Sequence, residues 1–163
     1  MTQAMIRRIS ARLSAALRTR NMRIAIAESC TGGRVAAAII ALPGASDIID
    51  EAYVVYADKA KTRILGIDPL LIENEGVVSV VCAGEMARNL EKLVRCDVAV
   101  SVTGYAGPTG GTVKAPVGTV CFGIAYRGGL TTYRERFNGN REAVQKQAVA
   151  FILEKTVSVI ENA

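Results

Sequence analysis

A three-layer α/β/α sandwich around a mixed sheet of about five strands is the fold class this sequence predicts. Short β-branched strands alternate with apolar-faced helices as far as Thr103, and a single hairpin then precedes one last long helix. Size is the second observation. With 163 residues the chain is expected to form one domain over residues 1–163, and a domain near this size buries roughly 70% of the surface its unfolded chain exposes.

The chain opens on an amphipathic helix in which Ile6, Ile9, Leu13 and Leu17 recur at helical spacing, while the arginines fall largely on its other faces. Residues 24–27 read as a short buried strand. This strand runs through the polar and small residues 28–33 into an apolar helix over 35–42, which Pro43-Gly44 closes. Residues 51–56, EAYVVY, form a second strand by their β-branched and aromatic content. A short helix follows over 57–65, Asp68-Pro69 starts another that Gly76 stops, and Ser79 is positioned to cap a long helix over Val81, Met86, Leu90 and Leu93. The clearest strand is 97–103. It ends in residues 104–111, GYAGPTGG, a loop too rich in glycine and proline to be regular. Segments 117–126 and 130–137 flank Arg127-Gly128-Gly129, a hairpin signal, and a final helix over 141–160 sets Val144, Ala148, Phe151, Ile152 and Val159 along one apolar side.

Composition narrows the chemistry. The chain has no histidine, which removes the usual general base and the commonest metal ligand together. Any hydrolysis must therefore run without a Ser-His-Asp triad or a histidine-built metal centre, and neither a metal nor a cofactor is expected. Cys30, Cys82, Cys96 and Cys121 are scattered, with no CxxC pair, and read as reduced thiols. No basic leader precedes a long apolar run, and the apolar segments fall short of the roughly 20 residues a bilayer needs, so a soluble cytoplasmic protein without a membrane partner is expected. The net charge of +5 raises nucleic acid as a partner. Much of that excess sits in Arg7, Arg8, Arg12, Arg18, Arg20 and Arg23, a solvated basic face explains it, and stacking aromatics are scarce; no nucleic acid is expected.

In open α/β sheets ligands gather beyond the carboxyl ends of the parallel strands. The turn after the first strand carries Glu28, Ser29, Cys30 and Thr31, the turn after the second carries Tyr56 and Lys61, and the turn after the third carries Thr103 and the glycine loop. Three loops would meet on one edge. The free N–H groups of residues 31–34 would open the following helix as an anion site around Thr31, Gly32 and Gly33. Plainer readings stand beside these: a capped helix start with glycines for close packing, Tyr56 as a half-buried strand aromatic, Lys61 as a solvated helix charge. Cys30 is intrinsically a stronger nucleophile than Ser29 and lies at a helix N-terminus that would lower its pKa. If Ser29 faces the cleft, its neighbour is expected to face the core.

Six segments, ESCTGG at 28–33, PGAS at 43–46, YADKAK at 56–61, VTGYAGPTGG at 102–111, PVGTV at 116–120 and FNGNREAV at 137–144, resemble the CinA C-terminal domain family in order and spacing, over nearly the whole chain. The resemblance implies nicotinamide mononucleotide deamidase activity, the hydrolysis of a carboxamide to nicotinic acid mononucleotide and ammonia. It also implies a mixed five-stranded sheet in order 2-1-3-4-5 with the fourth strand antiparallel, so that the switch point lies between strands one and three, where Ser29 and Thr103 would sit. Ala57 and Asp58 stand where the family often has Ser-Asn, Tyr105 where it often has Ile, and Ala115 breaks a usual Lys-Pro pair; these departures bear on substrate tuning more than on the chemistry. Larger members of the family carry an additional N-terminal domain, which this chain is expected to lack.

An amide is a poor electrophile with a poor leaving group, so such a site must activate a nucleophile, hold an oxyanion and protonate ammonia. Ser29 is the candidate nucleophile. Lys61 is the candidate base, provided that burial or a nearby cation lowers its pKa, and Tyr56 would relay the proton or orient the lysine. The substrate-binding residues implied are Thr31, Gly32 and Gly33 at the helix start, Thr103, Gly104 and Gly107 around the glycine loop, and Arg141, whose fork suits a phosphate. Arg141 would otherwise form a surface ion pair, as with Glu142. The expected partner is a small-molecule nucleotide, and a homo-oligomer is compatible with all of this. Two other readings stay open: a non-catalytic module that binds a nucleotide phosphate, and a DNA-associated accessory protein of competence or damage response.

Overall fold

The computed structural model describes residues 1–162. Five strands make one sheet: β1 (Ile24–Glu28), β2 (Ile49–Val54), β3 (Val98–Gly104), β4 (Thr119–Tyr126) and β5 (Gly129–Arg136). Their order is β2-β1-β3-β4-β5; β1 runs parallel to β2 and β3, while β4 is antiparallel to both its neighbours. The expected order and the expected antiparallel fourth strand are both found. Arg127 and Gly128 make the hairpin turn with φ of 51° and 76°, the mirror-image turn whose twist matches that of paired strands.

Two helical layers enclose the sheet. Helices α1 (Gln3–Thr19), α2 (Arg34–Ile40) and α6 (Arg141–Glu161) cover one face, and α3 (Asp58–Leu65), α4 (Pro69–Glu75) and α5 (Val80–Val94) the other. Because strand side chains alternate, the sequence sets the bulk of each face separately. Ile24, Ile26, Val98, Val100, Val102, Val120, Phe122 and Ile124 fill the side under α1 and α6. Toward α5 stand Ala25, Ala27, Ala99, Ser101, Gly123 and Ala125. Ser101 Oγ donates to Ala83 O at 2.5 Å, and a Cβ on Gly123 would lie 2.5 Å from that same carbonyl, so the α5 backbone rests almost on the sheet.

Asp68 and Ser79 cap α4 and α5 as the sequence predicts, accepting from the N–H groups of Leu70 and Cys82. Two boundaries differ from expectation. Strand β2 starts and ends two residues early relative to 51–56: Ile24 pairs with Ile49, which draws the chain in sooner, and at the far end the Tyr56 carbonyl has left the ladder for Ser29 and Lys61. Helix α2 stops at Ile40, short of Leu42, as the residue before Pro43 is biased out of helix. Glu28 is level with Val54 on one side and Val102 on the other, so the loops after β1 and β2 leave the sheet at one height, and β3 runs on to Gly104 before its loop begins. Among the described residues no helix is long and apolar enough to cross a membrane.

Candidate active site

Ser29 is the first residue beyond β1. Its N–H still donates to Val102 O at 3.0 Å, and its hydroxyl turns toward α3. There Lys61, only 1% exposed, runs back beneath the turn. Its Nζ lies 3.1 Å from Val55 O, 3.4 Å from Tyr56 O and 3.4 Å from Ser29 Oγ, with the Asp58 carboxylate at 3.7 Å. Ser29 Oγ in turn donates to Tyr56 O at 3.5 Å. Lys61 is thus a buried amine held on two carbonyls, not a solvated helix charge. With N–H groups on Val55 and Tyr56, a further position of the nitrogen faces the serine: an N–H there donates to Oγ, and a lone pair there would take its proton.

Glu28 shapes the turn. Fully buried, it accepts from the N–H groups of Gly33 and Val35 through Oε2, at 3.1 Å each, and from Ala36 through Oε1 at 2.8 Å. The Gly32 N–H goes to Ser29 O and the Arg34 N–H to Thr31 O. The anion cradle expected at residues 31–34 is therefore already filled by the protein's own carboxylate, which satisfies the first N–H groups of α2 and complements its dipole. Thr31 is buried with an unpartnered hydroxyl, and Gly32 keeps a place on the cleft wall.

Cys30 faces the core. Burial pushes its thiol up to about 12, the reverse of the lowering expected from a helix N-terminus, because loss of hydration outweighs the helix field. Gly104 serves fit: a Cβ there would lie 2.8 Å from Thr119 O and 3.0 Å from Cys30 Sγ. The Thr103 hydroxyl is committed to Val77 O at 2.9 Å, which ties β3 to the segment before α5 instead of facing a ligand.

Tyr56 contributes two separate parts. Its carbonyl touches Ser29 and Lys61, whereas its phenol, on a residue 60% exposed, accepts from Arg141 Nη2 at 3.0 Å. A relay through the phenol is not in this geometry, since neighbouring side chains of an extended segment alternate and Val55 takes the buried side. Arg141 also donates from Nη1 to Gly107 O at 2.8 Å, so it spans the two loops at the mouth. Among the described residues no carboxylate pairs with it: Glu142 bonds Lys146 at 2.6 Å, and that ammonium holds the Glu142 carboxyl below its usual range.

Beside this turn lies a cavity of about 460 Å³, walled by Cys30, Gly32, Arg34, Tyr56, Arg141, Glu142 and Gln145, within the size range of small-molecule sites; Ser29 and Lys61 are not among its walls. Among the described residues no cluster of Cys, Asp and Glu is arranged to hold a metal ion. The side chains of Arg34 and Gln145 escaped the sequence reading, and Asp58 entered it only as a departure from the family pattern. Arg34 carried a signal, as a cation at the first position of a helix opposes the macrodipole. Asp58 stands three residues before Lys61, a helical pairing distance. Gln145 gave little sign beyond being polar beside Val144 and Ala148.

Residues 6–160 match the CinA C-terminal domain family. A nicotinamide-nucleotide amidohydrolase PncC of Enterobacter agglomerans is 41% identical over 155 residues, covering 94% of either chain. Its counterpart of the same name from Escherichia coli (strain K12) is 40% identical with the same coverage. Among solved structures, a competence-damaged protein (CinA) superfamily member of Klebsiella pneumoniae superposes with a TM-score of 0.94 at 35% identity, covering 97% of this chain and 99% of that one.

Proposed function

This chain belongs to the CinA C-terminal domain family, and on that footing we propose that it hydrolyses the carboxamide of nicotinamide mononucleotide to nicotinic acid mononucleotide and ammonia, with Ser29 as nucleophile and Lys61 as base. The observation that carries the assignment of roles is the buried Lys61 amine 3.4 Å from the Ser29 hydroxyl.

Lys61 Nζ takes the Oγ proton as Oγ bonds to the amide carbon, and the carbonyl electrons move to oxygen. The N–H of Cys30, which donates to no backbone carbonyl among the described residues, lies one residue past the nucleophile and is suited to that oxyanion. When the tetrahedral species collapses, the Lys61 ammonium returns its proton to nitrogen, and ammonia leaves with an ester on Ser29. Water then attacks the ester, Lys61 takes the water proton and gives it back to Oγ, and the acid departs. The resting distances are long for hydrogen bonds, and tightening on substrate binding is the common pattern.

Arg34 and Arg141 bind the nucleotide's phosphate at the mouth as side-chain forks, since the helix start is occupied by Glu28. The partner is accordingly a small nucleotide rather than nucleic acid, and residues 1–163 act as one cytoplasmic unit. Incubating the purified protein with nicotinamide mononucleotide tests the reading: ammonia and nicotinic acid mononucleotide should appear in equal amounts. Binding without ammonia release would leave a nucleotide-binding module instead.

A further inference from the structure

We propose that Gln145 is a specificity-determining residue whose side-chain oxygen accepts a hydrogen bond from the carboxamide N–H₂ of the substrate, favouring the amide over the acid product. The inference rests on the amidohydrolase reading above. Gln145 is 5% exposed, and one end of its carboxamide lies 2.8 Å from Cys30 O. A carbonyl only accepts, so the end against it must be the N–H₂, and this settles which way round the group sits. The opposite end is then Oε1, an acceptor with no donor functions. Among the described residues no donor reaches it, yet it is not one of the polar atoms sealed from solvent; it is left on the cleft wall. A glutamine this deep ordinarily pairs at both ends, and a cleft-side acceptor without a partner is one that a ligand can complete.

Its depth indicates which part of the ligand. Gln145 follows Arg141 by about one turn of α6 and reaches the carbonyl of Cys30, the residue after Ser29, so it serves the inner, reacting end of the cleft and Arg141 the outer end. A carboxamide N–H₂ donates two hydrogen bonds, whereas the product carboxylate is ionised at neutral pH and only accepts. Against a fixed acceptor the substrate gains a bond. The product meets oxygen on oxygen and is driven off, so one immobile atom both selects substrate and relieves product inhibition.

Gln145→Met keeps the length and removes donor and acceptor together. Its KM for nicotinamide mononucleotide should rise about tenfold, the loss of roughly one hydrogen bond, while inhibition by nicotinic acid mononucleotide stays unchanged or tightens. Gln145→Glu keeps an acceptor and adds charge, and should weaken product inhibition by about tenfold or more. If substrate and product affinity fall together in Gln145→Met, the acceptor serves the sugar or phosphate common to both. If kcat alone falls, Gln145 is a strut for the Cys30 peptide. Either result overturns the proposal, as does unchanged product inhibition in Gln145→Glu, and far-ultraviolet circular dichroism checks that each variant is folded. Should the wild type release no ammonia, the amidohydrolase reading falls by itself, and calorimetric affinities of the two nucleotides still decide whether Gln145 distinguishes amide from acid.

Discussion

Lys61 Nζ lies 3.4 Å from Ser29 Oγ at the base of the first turn, and the two residues are nearly sealed from solvent, at 1% and 6% exposure. In a chain without histidine, this pairing is the observation on which the proposed serine nucleophile and lysine base rest.

Ser29→Ala and Lys61→Met should therefore each lower kcat for ammonia release by about 10³-fold or more, while Cys30→Ala keeps much of the activity. Lys61→Met leaves the carbonyls of Val55 and Tyr56 without their donor, at a cost of about 1–3 kcal/mol, so circular dichroism must show the variant folded before its loss is credited to chemistry. An inactive Cys30→Ala beside an active Ser29→Ala would reverse the assignment.

The Cys30 thiol, pushed up to about 12, is roughly one part in 10⁴ thiolate at pH 8 and should resist iodoacetamide in the folded protein but react in urea. The sign for stability follows. A thiol whose folded pKa exceeds its unfolded value near 9 costs nothing below pH 9 and destabilises the fold as pH rises from 9 toward 12. Thermal midpoints across that window should fall for the wild type and fall less for Cys30→Ala.

Glu28→Gln replaces two accepting oxygens, which share three N–H groups, with a carboxamide whose N–H₂ end opposes the donors at one of the two positions. Urea unfolding should show a loss of about 2–4 kcal/mol. A loss below about 0.5 kcal/mol would mean that the start of α2 is held by something other than this carboxylate.

Arg141→Ala and Arg34→Ala should leave the fold intact and weaken turnover of nicotinamide mononucleotide by about tenfold or more, while barely changing the slow reaction of the phosphate-free riboside. Equal losses on both substrates would assign the arginine to the amide or the scaffold, and no loss on either would return it to the solvated surface.

Local patterns were legible in the sequence: buried and β-branched strands, helix starts at Asp68 and Ser79, the glycine hairpin, and loops that bring Ser29 and Lys61 to one edge. What escaped was decided by tertiary partners. The start of β2 depends on Ile24 choosing Ile49, and Glu28 caps a helix that begins six residues later, beyond the reach of an adjacent-cap signature. Cys30 carried opposing cues, a helix start and a buried site, whose balance only packing decides. At Tyr56 the sequence draws attention to the phenol, whereas the backbone carbonyl there meets the Ser29 hydroxyl.

Since Gly123 and Ser101 let α5 lie against the sheet, that helix brings Cys82 close enough for its thiol to feel the Lys61 charge. The amine's seal is thus gauged by a helix on its own face of the sheet, through a strand two places away from β1. A single methyl group on Gly123 would act as a shim, lifting α5 and admitting water behind Lys61 with every residue of the cleft unchanged.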